Sequence, residues 1–94
     1  MKVYTFEGEV IVTWQYVEKG NTGRYYTVCH LRRKGEKDSF AIGWALQSKD
    51  DVFSKAVGRR KSLADALMVA NIERDERRLY WRTYFERAGD KEFA

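Results

Sequence analysis

The sequence predicts an α+β fold, an antiparallel β-meander of three to four strands followed by two C-terminal helices in the order β-β-β-α-α. Two observations carry that expectation. Apolar residues alternate with period two through the first half of the chain and switch to helical spacing after Gln47. Glycine-containing turns separate the alternating runs, as they do in a meander of hairpins. With 94 residues there is material for a single domain, 1–94, and none for a second core.

The elements follow in order. Residues 2–18, "KVYTFEGEVIVTWQYVE", place Val10, Val12, Trp14 and Tyr16 on one face of a strand and Ile11, Thr13 and Val17 on the other. Gly8 marks either a bulge or a division into two strands. "KGNTGR" supplies Gly20, Asn21 and Gly23, residues that accept positive φ, so a hairpin follows. "RYYTVCHLRR" (24–33) is the next strand and "KGEKD" the next turn. In "SFAIGWALQ" (39–47) Phe40, Ile42, Trp44 and Leu46 share one side, with only Ala41, Gly43 and Ala45 on the other. Helices are expected to cover the bulky side. The opposite sheet face would then carry Ile11, Val17 and Val28 beside the small residues, too apolar for a solvated surface, which predicts a homo-oligomer.

Ser48, three residues before Asp51, reads as a cap-like helix entry, with Asp50 and Asp51 suited to the positive helix start. Phe53, Val57, Ala64, Leu67 and Met68 form the expected apolar stripe. Asn71 can adopt the left-handed conformation of a tight helix–helix turn. The last helix is expected over roughly 73–88, with Glu73, Asp75 and Glu76 at its start and Arg82 and Arg87 towards its end. Its buried side would be Leu79, Trp81, Tyr84, Phe85 and Ala88; Gly89 would close it and "DKEFA" would fray.

Composition excludes several functions. A hydrophobic fraction of 44% with three Trp, six Tyr and five Phe argues for a packed core. No apolar run approaches the ~20 residues of a membrane span, and no signal-peptide segment is evident, so a cytoplasmic protein is expected. Cys29 is the one cysteine and His30 the one histidine. In a strand they point to opposite faces and cannot act as a nucleophile pair. They also fall short of the four ligands of a structural zinc site, so no metal or cofactor is expected. No catalytic motif occurs, and the pairs Asp50–Asp51 and Asp75–Glu76 are explained by helix capping. The expectation is a non-enzymatic protein.

Net charge is +4, unevenly placed. Residues 24–37 carry Arg24, Arg32, Arg33, Lys34 and Lys37 against Glu36, and residues 55–70 carry Lys55, Arg59, Arg60 and Lys61 against Asp65. Such patches favour an anionic partner. The second patch contains "AVGRRKS", where glycine and three cations interrupt a helical pattern. One reading lets Gly58 bring the helix close to the sheet while the cations lie over aromatic surface. Another makes Gly58 a helix break whose freed N–H groups, flanked by Arg59, Arg60 and Lys61, form an anion site. A third assigns anion binding to the strand hairpin.

The segment "SKDDVFSKAVGRRKSLADAL" resembles one found in small phage- and prophage-encoded accessory proteins, of the form Ser-x-x-Asp-x-Phe-x-x-x-x-Gly-Arg before an alanine-rich helix. Ser48, Asp51, Phe53, Gly58 and Arg59 match it, with Leu63, Ala64, Ala66 and Leu67 behind them. The resemblance covers roughly residues 40–80 and includes "ERDERR" at 73–78. It implies a protein of the infected bacterial cytoplasm that counters host defence, either by sequestering a nucleotide signal, as Thoeris anti-defence proteins do, or by blocking a CRISPR effector.

The preferred expectation is therefore binding of an anionic nucleotide ligand by Phe53, Arg59, Arg60 and Lys61 together with Tyr25, Tyr26 and Arg24, by ionic forks and base stacking. The alternatives are an anti-CRISPR protein that inhibits a host defence protein, and a small sheet-type DNA-binding protein. The latter, similar in outline to AP2 and integrase-arm sheet readers, would contact nucleic acid through Arg32, Arg33, Lys34 and Lys37.

Overall fold

A computed structural model describes residues 1–50 and 52–93, with side chains described as far as Arg87. Four strands, β1 (Lys2–Thr5), β2 (Gly8–Glu18), β3 (Tyr25–Arg33) and β4 (Ala41–Leu46), precede two helices, α1 (Lys55–Val69) and α2 (Arg74–Phe93). The strands form one antiparallel sheet in the order β1-β2-β3-β4. Gly8, at φ 119°, ends a tight turn through Phe6 and Glu7, so the first alternating run is two strands. Asn71 has φ 55° and closes the turn between the helices, as its side chain allows.

Both helices lie on one face of the sheet. That face carries Val3, Val10, Val12, Trp14, Cys29, Leu31 and Ala41, which pack with Leu63, Ala66, Leu67, Tyr80 and Tyr84. Here the expected orientation of β4 is reversed. Ala41 and Gly43 are buried under α1, whereas Ile42, Trp44 and Leu46 join Ile11, Val17 and Val28 on the uncovered face. The cause is the distance at which α1 runs. A Cβ on Gly43 would lie 2.7 Å from Ala66 Cα and closer still to Ser62 O and Ala66 N. A Cβ on Gly58 would lie 3.0 Å from Thr27 Cβ and within the contact radius of its hydroxyl. Only glycines fit, and the bulky residues of β4 have no room on that side.

Gly58 is therefore not a break. α1 runs unbroken across it, with the Gly58 N–H donating to Ser54 O at 3.0 Å. The cap is Ser54, whose Oγ accepts from the Val57 N–H at 3.3 Å, and not the Ser48–Asp51 pair; Asp51 lies outside the described residues. Gly58, Ser62 and Ala66 recur at i, i+4 and i+8 and form a ridge of small residues against the sheet. Buried positions are Ser62, Leu63, Ala66 and Leu67, while Ala64 and Met68 of the expected stripe face solvent. Among the described side chains of α2, Tyr80 and Tyr84 are the buried pair, Leu79 and Trp81 are half-buried, and Phe85 is exposed. The helix continues through Gly89 to Phe93, beyond the expected stop; the Ala88 side chain lies outside the described ones. Trp14 links the layers, its Nε1 donating to Arg59 O at 3.3 Å and its ring meeting Tyr84 edge-on at 6.0 Å.

Two predictions follow from this packing. Gly43→Ala should cost about 1–3 kcal/mol, because the added methyl meets helix backbone and cannot be accommodated by a rotamer change. Gly58→Ala should also destabilise, against the ~1 kcal/mol that alanine normally gains over glycine in a helix. In a Thr27→Ala background the same substitution should become neutral or stabilising. Urea denaturation of the wild type, Gly43→Ala, Gly58→Ala, Thr27→Ala and the Thr27→Ala/Gly58→Ala double variant measures both; a stabilising Gly58→Ala in the wild-type background contradicts the close contact.

A third prediction concerns alkaline pH. Burial pushes the Cys29 thiol from 9 up to about 12. Burial first, then the Glu76 carboxylate, pushes the Tyr80 phenol from 10 up to about 12. The unfolded chain releases these protons earlier than the folded one, so their contribution is intact below pH 9 and is lost as pH rises to about 12. Thermal melts should show the transition temperature falling through that window, less steeply in Tyr80→Phe. That variant also removes a buried hydroxyl with no hydrogen-bond partner, so it should be at least as stable as wild type at neutral pH.

Candidate functional site

Where α1 begins, the chain crosses from the end of β4 to the helix layer and leaves a cleft of about 330 Å³ between them. Tyr25 and Thr27 of β3 and Ala45, Leu46 and Gln47 at the end of β4 form its floor. Val52, Phe53 and Ser54 of the crossing segment and Val57, Gly58 and Lys61 of α1 form its wall. The glycine that seats α1 on Thr27 thus also lines the cleft. Register explains the floor: Gln47 follows the last pair of β3 and β4, its N–H donating to Tyr25 O at 2.9 Å while its Oε1 accepts from the Tyr25 N–H at 3.1 Å.

An aromatic group holds the crossing segment in place. The Phe53 ring lies 4.7 Å from Tyr25, tilted by 32°, and 5.9 Å from Tyr16 at 79°. Lys55 Nζ stands 5.1 Å above the Tyr16 ring. The first turn of α1 carries no acidic residue, and among the described residues no carboxylate lines the cleft. Among the described residues Lys61 is the one charged group in the lining. The electrostatic balance there, a helix start plus an ammonium group, suits a single negative charge.

The predicted ligand residues divide accordingly. Tyr25, Phe53 and Lys61 line the cleft. Tyr26 does not: adjacent strand residues face opposite ways, and its ring instead meets Trp44 edge-on at 5.8 Å on the uncovered face. Arg24 is engaged by the chain itself, its Nε and Nη2 donating to Gln47 O at 3.2 and 2.9 Å. Arg59 Nη1 donates to the Tyr16 hydroxyl at 3.1 Å, and Arg60 is half-buried and likewise has an interaction of its own. A continuous helix fans Arg59, Arg60 and Lys61 out at 100° intervals, so they do not converge. Thr27, Gln47 and Ser54 were not anticipated; only strand register and the true cap position bring them together.

The hairpin cations proposed for nucleic acid are also dispersed. Arg32 Nη1 donates to Glu36 O at 2.8 Å. Arg33 Nη1 lies 3.5 Å from Glu7 Oε2, with its guanidinium 4.7 Å from the Phe40 ring centre. Lys34 and Lys37 are exposed. His30 sits on the uncovered face opposite to buried Cys29, with Nε2 2.9 Å from Gln15 Oε1 and Nδ1 3.3 Å from Ser39 Oγ. Among the described residues no group of three or more His, Cys, Asp or Glu side chains could hold a metal ion, and no helix is long and apolar enough to cross a membrane.

No protein-family model, curated protein or solved structure matches this chain.

Proposed function

We propose that this chain is a non-enzymatic binding protein whose cleft at the start of α1 takes a small aromatic ligand bearing one negative group, of the nucleotide class. The observation that carries the reading is the lining itself: Tyr25 and Phe53 for a ring, and Lys61 and the helix start for an anion, with no carboxylate among the described lining residues. A volume of about 330 Å³ lies at the small end of the range for ligand sites. A single nucleotide suits it better than a cyclic oligonucleotide, whose several phosphates would want the arginines that the chain has turned elsewhere. Within the resemblance to phage accessory proteins, such a site serves counter-defence by removing a nucleotide signal from a host bacterial cell, with the protein acting in the cytoplasm as a homo-oligomer.

A second reading has its own support. The uncovered sheet face is apolar, which suits a protein partner such as a host defence component, as an anti-CRISPR protein would require. Sheet-type DNA binding is the least favoured, because Arg32 and Arg33 are engaged in intramolecular contacts and, as neighbours in β3, point to opposite faces of the sheet.

Thermal shift and calorimetric titration with nucleoside monophosphates and cyclic mononucleotides test the cleft. Ligand at a hundred times Kd stabilises a protein by about 2.7 kcal/mol, enough to raise the melting temperature of a domain this size by about 10 °C or more. Phe53→Ala and Lys61→Ala should each weaken binding about tenfold or more, from lost stacking and lost charge. Lys34→Ala on the distant hairpin should leave it unchanged. A flat response to every nucleotide, or binding indifferent to Phe53 and Lys61, removes the reading.

A further inference from the structure

The face of the sheet that the helices leave uncovered is ordered into three cross-strand rungs. Val17, Tyr26 and Leu46 form one; Gln15, Val28 and Trp44 the next; Thr13, His30 and Ile42 the third. None of these nine residues is Asp, Glu, Lys or Arg, in a chain of which 34% is charged. Large apolar groups remain open to solvent: Trp44 at 54%, Val17 at 48%, Ile42 at 39% and Leu46 at 38%. Val28, at the centre, is buried by its neighbours alone. This is an apolar, uncharged centre on an otherwise highly charged molecule.

We infer that a second copy of this chain covers this face, giving a twofold dimer of sheet packed on sheet with the helices outermost. The inference rests on the homo-oligomeric reading above and assigns its surface. Charge argues for a second copy. A cationic chain repels its own kind unless the meeting surfaces are neutral, and this patch is the neutral one; an acidic partner would find no cation there to select it. Twofold symmetry lays the patch on itself, so no like charges meet at the centre, while Lys2, Glu9 and Arg32 of the same face fall at the rim.

Area sets the scale of the contact. The four strands have 4, 11, 9 and 6 residues. At ~3.3 Å per residue and ~4.8 Å between strands the face spans roughly 480 Å² in projection. That is over half of the about 800 Å² that an ordinary stable interface buries on each partner, and the projecting side chains of Trp44, Val17, Ile42 and Leu46 add to it. The geometry of β4 also makes the contact face-on. It is an edge strand, but its outward Trp44 N–H already donates to Asp65 Oδ2 at 2.8 Å, so α1 blocks strand addition at the middle of that edge.

Light scattering and sedimentation across a concentration series test this on the full chain. The expected mass is twice the 11.1 kDa of one chain. Trp44→Lys should raise the dimer dissociation constant by about thirtyfold or more. Thr13→Arg, at an exposed position, should do likewise by setting like charges face to face. Far-UV circular dichroism and denaturation establish that both variants remain folded. A monomer at every concentration, including one that pairs only with a different protein, overturns both the dimer and the homo-oligomeric reading. A dimer that survives both substitutions overturns this surface alone.

Discussion

The approach of α1 to β3 and β4 is the constraint from which the rest of this molecule follows. Gly43 and Gly58 remove the two Cβ atoms that would hold the layers apart, and Ser62 and Ala66 keep the ridge between them low. Close contact multiplies small dispersion gains along the helix and leaves no space for side chains larger than Ala on that side of β4. Ile42, Trp44 and Leu46 must then point the other way. The same contact brings Asp65 to the Trp44 N–H and sets the Ser54 cap beside the start of β3, so that a cleft opens between them. One packing choice thus produces a sealed strand edge, an apolar sheet face and a ligand-sized cleft.

Much of the scaffold is legible in the residue pattern. The alternating runs, the glycine turns, the two C-terminal helices and the left-handed Asn71 all report local physics, and local physics prevails there. The faces of β4 do not. A strand with large residues on one side and small ones on the other is ordinarily turned large side inward, because apolar burial favours it. That preference yields here to the close seating of α1, which depends on residues some 20 positions away in the chain. Ser62 and Tyr80 escape detection for a related reason: both have polar groups, and both are wholly buried. Hydropathy assigns them to the surface, while size and position on the helix assign them to the core. Gly89 is read as a stop, although α2 passes through it.

The candidate site was half visible. Phe53, Tyr25 and Lys61 belong together because the crossing segment, the first residues of β3 and the second turn of α1 meet there. Arg24, Arg59 and Tyr26 were grouped with them by sequence proximity, which neither strand alternation nor helical rotation respects. Their observed contacts explain their presence differently. Arg24 ties the turn before β3 to the end of β4, and Arg59 braces the Tyr16 ring that supports Phe53. These basic residues build the cleft's surroundings, and the charge left inside it is small. The ligand proposed for the cleft is accordingly a singly charged aromatic molecule and not a polyanion.

The most direct test of the central claim is a nuclear Overhauser measurement on the isotope-labelled chain. Strong contacts between the Gly58 α-protons and the Thr27 methyl, and between the Gly43 α-protons and the Ala66 backbone protons, with helical carbon shifts running unbroken from Lys55 to Val69, are the result the account predicts. Absence of those contacts, with Gly58 outside the helical range, would contradict it and return Gly58 to the role of a break between two helices.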